Sequence, residues 1–159
     1  MIDLSLLFNW LFQTGVAFLA TITFAIIFHT PRREWLFCGI TGGLGWLVYL
    51  ICMSADMGVV ASSFFATLAL AWISRIFAFC RKTPVTVFLI SGIFPLVPGA
   101  GIYYTGYNIF MSDNAQALAK GMETIKIAVA IALGIGIVLS LPAFFFTLHG
   151  SGGKSGKRS

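Results

Sequence analysis

Charged side chains are scarce in this sequence. Only 9% of its 159 residues are Asp, Glu, Lys or Arg, whereas 58% are hydrophobic. A soluble domain carries roughly 25% charged residues, so this chain has too few of them to cover a globule in water. Runs of about 20 apolar residues span a bilayer. The composition therefore predicts a membrane protein, and the length allows one domain.

Cysteine, histidine and acidic residues are also rare, and their spacing argues against several kinds of site. Cys38, Cys52 and Cys80 lie far apart without a C-x-x-C pair, so we expect neither disulfides nor a zinc site. The apolar segments hold no cluster of Asp, Glu and His, so an intramembrane enzyme, a metal and a cofactor are not expected. The net charge of +5 is spread over short loops and a tail. It indicates topology and argues against a nucleic-acid partner.

Five apolar segments predict an all-α fold with five transmembrane helices. They cover about residues 4–28, 35–53, 59–79, 85–110 and 125–148. The amphipathic stretch 114–123 is predicted to lie in the membrane interface, after a capping box of Asp113 and Gln116. Residues 149–159, rich in Gly, Ser and Lys, predict a disordered basic tail.

The basic residues predict the orientation of these spans. With five spans, eight of the ten fall on one face: Arg32, Arg33, Arg75, Arg81, Lys82, Lys154, Lys157 and Arg158. Lys120 and Lys126 fall on the other. The positive-inside rule then places the N-terminus outside and the C-terminus in the cytoplasm. A re-entrant fourth segment would give four spans and move the basic tail outside, so five spans are favoured.

The fourth segment contains IFPLVPGAGIYY, residues 93–104, which must break its helix. Pro95 and Pro98 have no N–H to donate to the carbonyls of Ser91 and Phe94. Near the middle of a span such a break needs protein or a wet cavity beside it, and transporters present half-helix ends to substrate there. A kink that serves packing alone is the alternative. The predicted substrate pathway comprises Pro95, Pro98, Gly99, Gly101, Tyr103, Tyr104, Thr105 and Asn108.

Polar and small residues elsewhere in the spans have two interpretations each. Arg75, the one charge within a span, either snorkels to the cytoplasmic interface or meets the carboxylate of an entering substrate. Ser5, Asn9 and Gln13 either line an exit path or join helices through hydrogen bonds. Two stripes of small residues serve close helix packing, either within the chain or with a neighbour. One is Gly39 with Gly43, and the other is Ala128, Ala132, Gly136 and Ser140.

The stretch FPLVPGAGIYYTGYNIF, residues 94–110, resembles the central motif of the threonine/serine exporter family. Members of that family carry a P-x-x-P-G segment followed within a few residues by tyrosine. The preceding ALAWISRIFAF, residues 69–79, and the five-span layout are also similar to the family. The resemblance covers most of residues 1–150.

This resemblance implies a subunit of a secondary transporter in the bacterial cell membrane. It would export threonine and serine, driven by the proton motive force, together with a longer membrane subunit of the same family. Some relatives export dicarboxylates, so a succinate-type exporter is an alternative, and a non-conducting scaffold subunit is another. Because no acid lies deep in a span, the proton relay is expected on the partner or at Asp56 in the outer loop.

Overall fold

The computed structural model describes residues 4–141, which are helical throughout and contain no strand. The predicted tail 149–159 and the last part of the predicted fifth span, residues 142–148, lie outside the described residues. Within the described range there are six α-helices: α1 Leu4–Ile27, α2 Trp35–Ser54, α3 Gly58–Arg81, α4 Val85–Ile93, α5 Gly99–Phe110 and α6 Asn114–Ser140.

Four of these helices, α1, α2, α3 and α6, are long and apolar enough to cross a membrane. Helices α4 and α5 are joined through a short 3-10 turn, Phe94–Leu96, and their axes bend by 49° at Val97 and Pro98. The pair forms either one broken span or a re-entrant loop. The predicted break in the fourth segment is therefore confirmed, and the chain has four to five candidate spans.

Helix α6 differs from the segment predicted for it. It runs without interruption from Asn114 to Ser140, so the stretch 114–123 forms the first turns of the same helix. Asp113 caps it, since its Oδ1 accepts the N–H of Gln116 at 3.1 Å. The helix ends at Ser140 because Leu141 is extended, with ψ 128°. Pro142 follows, and a residue before proline avoids the helical conformation.

Glycines bring α2 into close contact with its neighbours. A Cβ atom at Gly42 would lie 1.9 Å from the hydroxyl oxygen of Thr21 on α1, and one at Gly45 would lie 2.9 Å from Leu70 on α3. The stripe of Gly39 and Gly43 packs against α1 within the chain, as Phe18 lies against both. The stripe on α6 does not pack within the described part of the chain, because all four of its residues are exposed.

Helices α3 and α6 pack side by side in parallel. Gly134 lies against Phe64 and Thr67, and Ile125 borders the same groove as Gly58. Residues 114–124 of α6 therefore extend past the first turn of α3, by roughly 15 Å at 1.5 Å per residue. There α5 is the neighbour of α6.

One ion pair joins the loop before α2 to the end of α3. Arg81 donates to both carboxylate oxygens of Glu34, each at 3.0 Å, and Glu34 is buried. The guanidinium also lies over the ring of Phe37, with its central carbon 4.6 Å from the ring centroid. The first and third predicted loops are thus on the same end of the bundle, as both the four-span and the five-span interpretations require.

Candidate functional site

A cavity of about 300 Å³ lies beside the break between α4 and α5. We call it the break cavity. It is lined by Trp46 and Tyr49 of α2, Val59 and Ser63 of α3, Ile127 of α6 and the segment 95–100. Four elements that are distant in sequence therefore meet at this point. Its volume is at the lower end of the range for small-molecule pockets, roughly 300–1,000 Å³.

Two tight turns shape the backbone of the break. The N–H of Val97 donates to the carbonyl of Phe94 at 3.2 Å, and the N–H of Gly99 donates to the carbonyl of Val97 at 2.7 Å. The second bond closes an inverse γ-turn at Pro98, with φ −76° and ψ 56°. The carbonyl of Phe94, to which Pro98 cannot donate, thus has Val97 as its donor.

The N-terminus of α5 opens on the break cavity. Its first helical hydrogen bond runs from the N–H of Ile102 to the carbonyl of Pro98, at 3.1 Å. The N–H groups of Ala100 and Gly101 find no acceptor within residues 4–141. Both Gly99 and Ala100 line the cavity. Free N–H groups and the helix dipole together make this end electropositive.

An aromatic pair forms the wall of the cavity on α2. The rings of Trp46 and Tyr49 are stacked, with centroids 5.0 Å apart and an interplanar angle of 30°. The indole N–H of Trp46 donates to Oε1 of Gln13 at 3.4 Å, and Gln13 in turn donates to Asn9 at 2.8 Å. On the facing wall the hydroxyl of Ser63 donates to the carbonyl of Val59 at 2.8 Å. Its oxygen can still accept a hydrogen bond.

A second cavity, of about 360 Å³, lies on the other side of Trp46. We call it the α1 cavity, because most of its lining comes from that helix: Phe12, Gln13, Val16, Ala17 and Ala20. Trp46 and Pro95 complete it, and both residues also line the break cavity. The predicted polar stripe of the first span therefore reaches a cavity through Gln13. The side chain of Ser5 lies outside the described residues.

The structure separates the predicted pathway residues into three groups. Pro95, Pro98 and Gly99 line the break cavity. Gly101 and Thr105 instead face α6. A Cβ atom at Gly101 would lie 2.4 Å from the hydroxyl of Thr124, and the Thr105 hydroxyl donates to the carbonyl of Gly101 at 2.7 Å.

Tyr103 and Tyr104 form the third group, on the outer surface of α5. Their residues are 66% and 53% exposed, and the two rings contact each other edge to face. Neither ring lines the break cavity. Asn108, one turn after Thr105, is half-buried. The polar residues that follow the break thus point away from it, because α5 turns its Gly101 and Thr105 side towards α6.

Arg75 lies at the opposite end of α6 from the break. Its guanidinium donates to the carbonyl oxygens of Val138 and Leu141, the latter at 2.7 Å. A cation at the C-terminal end of a helix stabilises the exposed carbonyl groups and the helix dipole. The side chain is thus engaged with the last turn of α6.

Sequence reasoning missed Trp46, Tyr49 and Ser63. Aromatic and hydroxyl side chains are common in apolar spans, so none of the three is unusual alone. The one available signal was GGLGWLVY, residues 42–49, where glycines that permit close packing precede two aromatic residues. Among residues 4–141, no group of three or more His, Cys, Asp or Glu side chains has the arrangement of a metal site.

Comparison with known families and proteins identifies the chain's relatives. Residues 13–141 match the family described as Threonine/Serine exporter, ThrE. A "Probable threonine/serine exporter" of Mycobacterium tuberculosis is 27% identical over 124 residues, which are 77% of this chain and 23% of that protein. An "Uncharacterized protein" of Haemophilus influenzae is 25% identical over 147 residues, or 90% of this chain and 48% of that protein.

The chain thus spans about a quarter and about half of the lengths of these two relatives. No solved structure matches it significantly. The family match includes α2 to α6 and most of α1, and so contains the whole break. This multi-pass membrane protein belongs to the threonine/serine exporter family.

Proposed function

We propose that the chain is one subunit of a secondary transporter that exports threonine and serine, and that these amino acids bind in the break cavity. Membership of the exporter family supports the transport role. The observation that carries the choice of site is the N-terminus of α5, which opens on a cavity beside a broken helix. Discontinuous helices have this use in other carriers.

The N-terminus of α5 suits the carboxylate of an amino acid. The N–H groups of Ala100 and Gly101 have no acceptor among residues 4–141, and helix N-termini bind anions through such groups. Gly99 leaves the approach open, since a Cβ atom there would meet nothing within 4 Å. A carboxylate can therefore reach the backbone without displacing a side chain.

The stacked rings of Trp46 and Tyr49 suit the ammonium group of the same molecule. A cation over such rings gains about 0.5–2 kcal/mol through the cation–π interaction. The Ser63 oxygen is available to the substrate hydroxyl as an acceptor. Within the described residues, no charged side chain lines the break cavity. A zwitterion matches this lining better than a dicarboxylate, which would bring a second negative charge without a partner.

A longer membrane subunit of the same family is proposed as the partner. The small-residue stripe of α6, Ala128, Ala132, Gly136 and Ser140, is exposed, and a Cβ atom at Gly136 would meet nothing within 4 Å. Such stripes allow close approach of a neighbouring helix. The partner would also supply the relay for the proton motive force, because no acid lines the break cavity within the described range.

The proposed orientation is that of the five-span arrangement in a bacterial cell membrane. The N-terminus would lie outside and the C-terminus in the cytoplasm, with α4 and α5 counted as one span. Asp56, in the exposed loop between α2 and α3, would then face the exterior. A non-conducting scaffold role predicts that changes in the break cavity leave transport intact.

The test is a pair of matched substitutions on α5, Gly99→Leu and Gly106→Leu. Both glycines have open space at the Cβ position, but only Gly99 lines the cavity. The complex is produced in cells, and threonine and serine efflux is measured per assembled complex. We expect Gly99→Leu to reduce efflux more than tenfold and Gly106→Leu to leave it unchanged. Equal efflux in the two variants would refute the site, and succinate efflux in place of amino-acid efflux would refute the substrate.

A further inference from the structure

We infer that the indole of Trp46 is a movable gate between the break cavity and the α1 cavity. In the present structure it separates them, and rotation away from Gln13 joins them into one passage for the substrate. The inference rests on the proposed function, since it takes the break cavity as the binding site. It adds a residue on α2 that controls movement between two compartments.

The two cavities are one side chain apart. Trp46 and Pro95 are the residues that line both of them. Pro95 is fixed in the 3-10 turn by its ring, which locks φ. The indole is therefore the part of the partition that can move without refolding the break.

The backbone of α2 is held in place on both sides of Trp46. Gly43 packs against Phe18 and the Thr14 carbonyl of α1, and Gly45 packs against Leu70 of α3. A shift of α2 would disrupt both contacts. Rotation about the side-chain bonds of Trp46 between staggered rotamers keeps them intact.

The bond that holds the indole is weak. The distance of 3.4 Å from its nitrogen to Gln13 Oε1 is beyond the usual 2.7–3.2 Å for such a bond. Gln13 itself is held by Asn9, so the acceptor stays in place when the indole leaves. A substrate ammonium on the Trp46–Tyr49 stack contacts the gate directly. Binding in the break cavity can thus favour one position of the indole over the other.

The experiment compares Trp46→Ala and Gln13→Leu with Trp10→Ala, a tryptophan that lines neither cavity. In cells making the complex, two quantities are measured: the rate of downhill efflux of preloaded threonine, and the concentration gradient held at steady state. We expect Trp46→Ala to lower the steady-state concentration gradient at least tenfold, while the rate of downhill efflux stays the same or rises. Gln13→Leu should have the same pattern as Trp46→Ala, a smaller gradient with downhill efflux unchanged or raised, but a weaker effect. Trp10→Ala should match the wild type in both quantities.

A structural role for Trp46 predicts a different result. Both quantities would then fall together, in proportion to the amount of assembled complex. That outcome, or a normal gradient in both Trp46→Ala and Gln13→Leu, overturns the gate. Gln13→Leu removes the acceptor without creating a large void, so it decides the question if Trp46→Ala does not fold.

A second measurement needs no substrate and separates the two proposals. In a chain whose native cysteines Cys38, Cys52 and Cys80 are replaced by Ala, cysteines are placed at Val16 and Ser63, one on each cavity. A bifunctional maleimide should link the two cysteines in the Trp46→Ala variant and should not link them in the protein that retains Trp46. Cleavage at a protease site inserted in the α2–α3 loop reveals the link on a gel. Equal linking in both backgrounds overturns the gate. Trp46-dependent linking without amino-acid efflux supports the gate and rejects the proposed function alone.

Discussion

Replacing Pro95 and Pro98 together by alanine tests whether the break itself is required for export. Each proline is about 3 kcal/mol worse than alanine in a helix interior. The double substitution therefore favours a continuous helix from α4 to α5 by roughly 6 kcal/mol before tertiary contacts are counted. The packing of α5 against α6 opposes this change, although no residue of α5 is fully buried within the described part of the chain. The contacts of Gly101 with Thr124 and of Thr105 with Gly121 are among those to be lost.

A straight helix would remove the 49° bend and one wall of the break cavity. We expect the protein to remain as stable as the wild type or more stable, while efflux per assembled complex falls more than tenfold, or about 1.4 kcal/mol in activation free energy. Pro98→Ala alone should have most of this effect. Val97 is extended because it precedes Pro98, whereas Pro95 lies in a turn that continues α4.

The assay is efflux of threonine from preloaded cells, normalised to complex recovered by affinity purification. Unfolding temperature is measured on the same samples. Normal efflux per complex in the double variant would refute a functional role of the break. Loss of complex first, with efflux falling only in proportion, would show that the break serves packing.

Three further predictions concern topology, packing and Arg75. Single cysteines are placed at Asp56 and Arg33 in a chain without native cysteines, and intact cells are treated with an impermeant thiol reagent. The cysteine at position 56 should be labelled and the one at position 33 should not. The reverse pattern would refute the proposed orientation. Gly42→Ala should lower the free energy of unfolding by about 1–3 kcal/mol, because its Cβ atom would lie 1.9 Å from the Thr21 hydroxyl. Gly15→Ala, in open space on α1, should be neutral or stabilising by up to about 1 kcal/mol, and thermal unfolding in detergent compares them. Arg75→Met should reduce stability by about 1 kcal/mol through loss of the α6 cap, with efflux unchanged per complex; an efflux loss at constant complex would instead indicate contact with substrate.

The features that followed from local chemistry were predictable from the sequence. The break at Pro95 and Pro98 depends on missing N–H donors, and the cap at Asp113 depends on a side chain three residues from its donor. Apolar length likewise identified the helices. The end of α6 at Ser140 has the same kind of cause, since Leu141 precedes Pro142 and is extended.

The features that depend on which helices meet were not predictable. Trp46, Tyr49 and Ser63 converge on the break only because glycines set the spacing between α2 and its neighbours. Glu34 and Arg81 are 47 positions apart, and no local pattern in the sequence pairs them. The rotation of α5 was equally hidden: its tyrosines follow the motif in sequence but lie on the outer surface.

Because α5 packs on one side only, against α6, local stability should differ between α5 and the rest of the molecule. Helices α1, α2 and α3 pack closely at the glycines of α2, whereas α5 packs against α6, at Gly101 and Thr105 among other residues, and none of its residues is fully buried within residues 4–141. Amide hydrogen exchange should therefore be fast in α5 and slow in α2, as local opening tracks the number of buried contacts. Val97 and Pro98 connect α5 to α4, and the two helix axes bend by 49° there. A change in that angle would alter the mouth of the break cavity, which Pro98, Gly99 and Ala100 line, without repacking α1 against α2.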